Sequence, residues 1–382
     1  MSANLPKAVI AHGGGPTAVL NSSLAGAVTA AREHCSALYA SRFGLGGILT
    51  SEMPDLLQIP PARIAEIAQS PGSAIHSSRR KLTEDDFAAI LRELRRQDIR
   101  AVFYTGGNGS MQTALDLLGH ARNADYDLQV VGIPKTIDND LLVTHHTPGY
   151  ASTAYFFACA ARDVGEDCRS LPSPICILET LGRNAGWIVA ATSLARKHPD
   201  DPPHIICFPE HPRSLDAIAA DVEAVYRRLG YVVIAVCEGQ LDERGTPFGA
   251  ELDRPDSAVH KLASNLGHTL ARRLTEKLGL RARAEKPGLL GRSCGPFARP
   301  RDRAEAFDCG FAAVVAASEG HSGVMVALDQ DGGPFLTPLD SVARQERLLP
   351  RHWIVPAGNN VTPAFTAYAA PLTGDVPGYT HL

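Results

Sequence analysis

Four side chains that suit phosphoryl transfer lie within one short segment, GIPKTIDND at residues 132–140. They are Lys135, Thr136, Asp138 and Asp140. One carboxylate can take a proton from an attacking hydroxyl, the other can help to hold Mg²⁺, and the ammonium can offset charge on the moving phosphoryl group. A solvated turn is the alternative interpretation, because Asp-Asn-Asp is also common in turns.

Two glycine-rich loops could bind the phosphates, HGGGPTAVLN at residues 12–21 and TGGNGSMQTA at residues 105–114. Each lies between a predicted strand and a predicted helix, where backbone N–H groups and the helix dipole can face an anion. Asn108 could cap its helix or ligate a metal, and Ser110 could donate to a phosphate. Neither loop is a Walker A or a G-x-G-x-x-G sequence. Each alone could be a tight turn, but the pair favours phosphate binding.

The elements that must position these loops alternate between apolar strands and helical patterns. The predicted strands are residues 8–11, 101–105, 128–133, 174–179, 204–210 and 231–238. The predicted helices are residues 21–33, 111–122, 152–164, 184–196, 214–229 and 256–278. This alternation predicts a parallel sheet covered on both faces, with ligands at the carboxyl ends of its strands. The segment 355–379, rich in proline and glycine, is predicted to be an irregular arm.

Length and composition indicate a globular protein of two lobes. The chain has 382 residues, 45% of them hydrophobic and 20% charged, with a net charge of −4. Since there is no overall basic excess, we expect no nucleic-acid partner. We also expect no secretory signal and no membrane span, because no apolar run approaches ~18 residues. The eight cysteines form no C-x-x-C pair and are interpreted as buried free thiols of a cytoplasmic protein.

Seven sequence motifs occur together in a characteristic order. They are TGGNGS, GIPKTIDND, HTPGY, LETLGRNAGW, FPE, CEG and RAEKPGLLGRS, within residues 7 to about 325. In order and spacing the chain resembles the phosphofructokinase A family. Diacylglycerol and NAD kinases carry a GGDG-like loop but lack the TIDND segment.

The resemblance implies an α/β phosphofructokinase fold of two Rossmann-like parallel-sheet lobes, with the active site in the cleft between them. The donor-binding lobe would be residues 1–149 plus about 291–340. The sugar-phosphate-binding lobe would be residues 150–290 plus about 341–382. The implied activity is that of a glycolytic 6-phosphofructokinase, which transfers a phosphoryl group from ATP or pyrophosphate to the 1-hydroxyl of fructose 6-phosphate with Mg²⁺ as cofactor.

The resemblance also assigns roles to residues. Asp138 would be the general base, with Lys135 and Arg183 stabilising charge at the reaction centre. Asn108 and Asp140 would hold the metal. The implied donor contacts are Gly14 through its N–H, Arg79 (or Arg80, one position on), Gly107, Asn108, Gly109 and Ser110. The implied acceptor contacts are Thr136, Asp138, Asp140, Gly182, Arg183, Glu238, Arg283 and Arg292. One acceptor arginine would come from a neighbouring subunit, which implies a homodimer or homotetramer.

The chain departs from the family pattern at the donor loop. Many members have aspartate where Asn108 stands. Pyrophosphate users often have aspartate where Gly109 stands, and that side chain occupies the place of the ATP α-phosphate. Glycine leaves the space open and favours ATP, whereas Lys135 is typical of pyrophosphate users. On this balance we favour ATP slightly and keep pyrophosphate as the alternative.

The acceptor site differs as well, with Pro174 where some relatives have arginine and Leu289 where some have histidine. A different sugar phosphate or a polyol is therefore an alternative acceptor. An inactive regulatory subunit that binds sugar phosphate is an alternative of another class. A nicotinamide oxidoreductase would need the G-x-G-x-x-G sequence that is missing here.

Overall fold

The computed structural model describes residues 6–50, 52–171, 174–248 and 265–380. The chain divides into two compact units, one of Met1–Tyr150 with Arg292–Arg347 and one of Ala151–Gly291 with Leu348–Leu382. Each unit is built on a largely parallel sheet with helices packed against it, which confirms the predicted α/β class with two parallel-sheet lobes. Which ligand each unit binds stays a prediction.

The strands and helices of the described residues are as follows. The strands are β1 (Lys7–His12), β2 (Ala37–Ser41), β3 (Ile99–Gly106), β4 (Gln129–Pro134), β5 (Ile175–Thr180), β6 (Ile205–Cys207), β7 (Val232–Cys237), β8 (Ala282–Glu285), β9 (Val324–Leu328) and β10 (Pro334–Pro338). The helices are α1 (Leu20–His34), α2 (Pro61–Gln69), α3 (Glu84–Arg96), α4 (Asn108–Asn123), α5 (Tyr150–Ser170), α6 (Trp187–Ala191), α7 (Leu215–Leu229), α8 (Leu266–Leu278), α9 (Leu290–Ser293), α10 (Pro300–Ser318) and α11 (Pro363–Thr373). None of these helices is long and apolar enough to cross a membrane.

The sheet of the first unit has six strands in the order β10-β9-β4-β3-β1-β2, and all neighbours are parallel except β9 and β10. Alternate residues of each strand enter two different apolar clusters. For example, Ile10 and Phe103 pack with α1 and α10, whereas Val9 and Val102 pack with α3 and α4. Both faces are therefore covered, which explains why the strands are apolar without alternation.

Helices α1 and α10 approach each other so closely that glycine is required at the contact. A Cβ on Gly26 would clash with the carbonyl oxygen of Phe307, and one on Gly310 would clash with that of Ser23. This contact fixes α1, which follows the first glycine-rich loop.

The sheet of the second unit has four parallel strands in the order β6-β7-β5-β8. Helices α7 and α8 cover one face through an aliphatic cluster. Around α6 and α11, the side chains of Trp187, Trp353 and Tyr368 pack against one another, with ring centroids 5.1–5.7 Å apart. All eight cysteines are free thiols, and seven of them are buried.

Several predicted elements need correction. The predicted helix 184–196 is reduced to α6 and a 3₁₀ turn at Thr192–Ala195, because Gly182 and Arg183 begin a tight turn with positive φ. The predicted strand 204–210 is three residues long. Helix 256–278 is seen as α8, and residues 256–264 lie outside the described residues. The prediction of an irregular arm over 355–379 is wrong in part, since α11 begins there with Pro363 in its first turn, where proline is tolerated.

Candidate active site

The first glycine-rich loop follows β1, and its backbone N–H groups bond to carbonyls of other segments. The N–H of Gly13 donates to the carbonyl of Thr105 (2.8 Å), and the N–H of Gly14 donates to the carbonyl of Ser78 (2.9 Å). Gly14 has a φ of 78°, a conformation that favours glycine. Because its N–H already has an acceptor, the prediction that Gly14 offers this group to a phosphoryl group is not met in this conformation.

Three cationic side chains converge on the same loop. The Nζ of Lys135 donates to the carbonyls of Gly13 (2.8 Å) and Gly15 (2.9 Å). A Cβ on Gly15 would lie 2.6 Å from Nη1 of Arg292 and 3.2 Å from Nη2 of Arg79. Such a cluster suits a multiply charged anion, whose binding would relieve the repulsion between the cations.

The pKa of Lys135 reflects this environment. Burial is the largest cause of its lowering to about 8; the Arg292 and Arg79 charges add to the lowering, and the Asp138 carboxylate opposes it. The proximity of Asp138 places a candidate base beside the cationic loop. Lys135 is therefore both an anchor for the loop and a part of its positive charge.

The choice between the two adjacent arginines is clear in the structure. Arg80 forms an ion pair with Asp86 (2.6 Å), a residue of the capping box that begins α3. Arg79 instead extends toward Gly15. The structure thus brings Arg79 to the glycine loop and leaves Arg80 at the helix start.

The second glycine-rich loop packs against the first through Ser110. This serine is buried near the start of α4 and forms a hydrogen bond with the hydroxyl of Tyr104. A Cβ on either Gly13 or Gly106 would clash with the Ser110 hydroxyl. Ser110 thus packs between the two glycine-rich loops. The sequence predicts that it donates to a phosphate, and it gives no signal for the contact with Tyr104.

The GIPKTIDND segment begins in β4 and reaches both glycine-rich loops. The N–H of Lys135 donates to the carbonyl of Gly106 (3.0 Å). A Cβ on Gly107 would lie 3.4 Å from the Cβ of Thr136, whose hydroxyl accepts from the N–H of Asp138 (3.1 Å). The three motifs singled out in the sequence are therefore neighbours in space.

Asn108 and Asp140 form the pair predicted to hold a metal. The Nδ2 of Asn108 donates to Oδ2 of Asp140 (2.9 Å), while Oδ1 of each residue is buried without a hydrogen-bond partner. Burial is also the main cause that raises the pKa of Asp140, so a nearby cation would stabilise its charged form. Mg²⁺ prefers oxygen ligands and often binds through one or two carboxylates plus substrate phosphates. The pair fits Mg²⁺ in that mode, and the described residues show no group of three or more acidic, His or Cys ligands.

The predicted acceptor residues of the second unit gather where β5 and β7 end. Gly182 and Arg183 have φ values of 132° and 51°, and the N–H of Arg183 donates to Oε1 of Glu238 (3.3 Å). A Cβ on Gly239 would clash with the carbonyl of Arg183. Burial raises the pKa of Glu238. A strained turn thus presents the exposed Arg183 beside a half-buried carboxylate.

The remaining acceptor candidates, Arg283 and Arg292, belong to different units. Arg283 lies on β8 at the register position of Cys176, and Leu289 is exposed. The Pro174 carbonyl accepts from the N–H of Val232. Arg292, predicted to grip the sugar phosphate, lies in the first unit beside Gly15, with the predicted donor residues.

Comparison with known proteins gives a consistent family. Residues 7–317 match the family model described as Phosphofructokinase. The chain is 36% identical to a pyrophosphate–fructose 6-phosphate 1-phosphotransferase of Rhodospirillum rubrum, over 96% of this chain and 94% of the relative. It is 34% identical to one of Xanthomonas campestris pv. campestris, over 96% of this chain and 91% of the relative. A pyrophosphate-dependent phosphofructokinase of Nitrosospira multiformis has a similar structure, with a TM-score of 0.88 and 30% identity, over 98% of this chain and 94% of that chain. The chain belongs to the phosphofructokinase family.

Proposed function

We propose that this protein transfers a phosphoryl group from pyrophosphate to the 1-hydroxyl of fructose 6-phosphate, giving fructose 1,6-bisphosphate and phosphate. The observation that carries the proposal is the convergence of Arg79, Lys135 and Arg292 on one glycine loop, with Asp138 beside Lys135. The relatives named above, which align along nearly the whole chain, support pyrophosphate as the donor.

In the proposed reaction the new bond joins the sugar oxygen to the transferred phosphorus, and the bond to the leaving phosphate breaks. Asp138 accepts the hydroxyl proton, and the three cations stabilise the negative charge on the donor. Asn108 and Asp140 would hold Mg²⁺ through their unpartnered oxygens. When bound, Mg²⁺ would neutralise charge on the donor phosphates. Gly182, Arg183, Glu238 and Arg283 stay predicted acceptor contacts, and Arg292 is reassigned to the donor.

A nucleotide donor is the second candidate, and two observations favour it. A Cβ on Gly109 would meet nothing within 4 Å, so the loop leaves room for further phosphates. Phe43 is exposed and stacks on His76, with ring centroids 4.3 Å apart. Both residues have positive φ and lie near the segment that carries Arg79, where an aromatic face could stack on a base.

The deciding experiment is product analysis with purified protein, Mg²⁺ and fructose 6-phosphate, supplied with pyrophosphate or with ATP. We expect fructose 1,6-bisphosphate with pyrophosphate at higher kcat/KM than with ATP. Substituting Asp138→Asn should lower kcat on the order of 10²–10⁴-fold, while Asp127→Asn, at an exposed site, should leave it unchanged. No sugar bisphosphate from either donor would refute the proposal, and a panel of other sugar phosphates and polyols would then identify the acceptor.

We further propose a homodimer or homotetramer in the cytoplasm. Light scattering coupled to size-exclusion chromatography measures the oligomeric state. A molar mass near 40.7 kDa, that of one chain, would contradict an oligomer.

A further inference from the structure

Arg347, which belongs to none of the sequence motifs, donates hydrogen bonds to the TIDND segment and to the residues that follow it. Its Nε and Nη2 donate to the carbonyl of Asn139 (3.1 and 2.8 Å). Its Nη1 donates to the carbonyls of Thr144 (2.6 Å) and His145 (2.7 Å), and its backbone N–H donates to the carbonyl of Asp140 (2.7 Å). One residue near the end of the first unit thus satisfies four carbonyls of a loop about two hundred positions earlier in the chain.

The loop needs such a donor because its backbone leaves the sheet at Pro134 and turns sharply. Asn139 and Val143 have φ values of 55° and 68°, which non-glycine residues rarely adopt. Carbonyls of such a turn are not paired by a strand ladder and require other donors when buried. The planar guanidinium, with five N–H donors in a fixed arrangement, can bridge several carbonyls at once and cannot lose its charge.

We infer that Arg347 is a positioning residue for the catalytic loop, which fixes the backbone on both sides of Asp140 and thereby the directions of Asp138 and Asp140. The inference rests on the proposed function, because it assigns these carboxylates to catalysis. Arg347 acts through the loop, by its bonds to the backbone carbonyls of Asn139, Thr144 and His145. Misplacing a catalytic group by about 1 Å can lower a rate on the order of 10²-fold.

The test compares Arg347→Met with Arg344→Met. Arg344 comes from the same segment, is exposed, and donates to the side chain of Gln112 (2.7 Å), so its loss removes an arginine without touching the loop. We expect Arg347→Met to lower kcat on the order of 10²-fold with the KM for pyrophosphate changed less than about threefold. Arg344→Met should keep both constants. Arg347→Lys, which retains the charge and part of the donor set, should recover part of kcat.

Hydrogen exchange supplies a measurement that does not depend on turnover. Amides of residues 136–146 should exchange faster in Arg347→Met than in wild type or Arg344→Met, while the rest of the first unit is unchanged. Unchanged kcat in Arg347→Met, or lower kcat without faster exchange of this loop, would overturn the inference. If Arg347→Met does not fold, Arg347→Lys decides: wild-type kcat and wild-type exchange would overturn it. If the wild type turns over neither donor, the proposed function fails, whereas the exchange comparison still tests the role of Arg347 in holding the loop.

Discussion

We predict that Gly109 decides which donors the second glycine-rich loop can accept, and Gly109→Asp tests this directly. Gly109 is the second residue of α4, a Cβ there would meet nothing within 4 Å, and its φ is not positive. The first turn of α4 has no acidic residue. An aspartate should therefore fit without strain, recover a few tenths of a kcal/mol of helix propensity and gain about 0.3–1 kcal/mol from the helix dipole. We expect the free energy of unfolding to rise by roughly 0.5–1.5 kcal/mol.

The same carboxylate should act against ATP and spare pyrophosphate. The family resemblance places this side chain where the α-phosphate of ATP would lie, and pyrophosphate has no corresponding group. Two like charges about 4 Å apart repel by ~1 kcal/mol in water and by ~4 kcal/mol at an effective dielectric constant of about 20. These values correspond to a loss in kcat/KM for ATP between about fivefold and about 10³-fold.

Gly109→Asn is the matched control, because it has nearly the same size without the charge. The assay is kcat/KM for each donor in both variants, together with urea unfolding. Equal losses with ATP in Gly109→Asp and Gly109→Asn would refute the charge argument and leave a steric one. A lower free energy of unfolding in either variant would show that the space beside Gly109 is not open.

Three further predictions concern single side chains. Lys135→Met should lower kcat at least about 10²-fold and the free energy of unfolding by about 1–3 kcal/mol, because two loop carbonyls lose a charged donor; turnover and urea unfolding measure both. Burial lowers the pKa of His12 from 6.5 to about 3, so the unfolded chain binds more protons between these values, and stability falls as pH drops through this range. From pH 8 to pH 5 the loss is about 2 kcal/mol, and urea unfolding should show a correspondingly weaker pH dependence in His12→Asn. Gly310→Ala should lower the free energy of unfolding by about 1–3 kcal/mol through its clash with the Ser23 carbonyl. Gly119→Ala, with nothing within 4 Å, should raise it by up to about 1 kcal/mol, and equal effects of the two substitutions would contradict the packing argument.

The sequence predicts the three loops because the pattern of each lies within a few neighbouring residues. Each pattern is a buried strand followed by a turn, and after the turn comes the start of a helix or a compact acidic segment. Their meeting in space follows from neighbouring parallel strands, since β1, β3 and β4 end at the same edge. Such reasoning also predicts the order of most elements. It cannot predict the exact length of α6, which depends on the turn at Gly182.

Contacts between distant residues of the chain were not predictable in this way. Arg347 has no motif around it, and its importance comes from carbonyls that only the folded loop presents. The sequence does not predict helix α11 because Pro363 and Pro371 are residues that usually interrupt helices. In the structure Pro363 lies in the first turn of α11 and Pro371 in the last. The proposal that Arg292 contacts the donor likewise depends on the fold, because α9 places this residue beside Gly15.

The structure gives the glycines of the first loop a different role from the one that the sequence predicts. In the sequence they suggest backbone N–H groups that bind phosphate, yet the N–H groups of Gly13 and Gly14 donate to Thr105 and Ser78. Gly13 is instead required by its close approach to Ser110, and the loop is held in place by Lys135. The charge that would attract the donor therefore comes from side chains, not from the amide dipoles of these two residues. Since the N–H groups of Gly13 and Gly14 already have acceptors, we expect the cations around the loop to bind the donor by their charge and position.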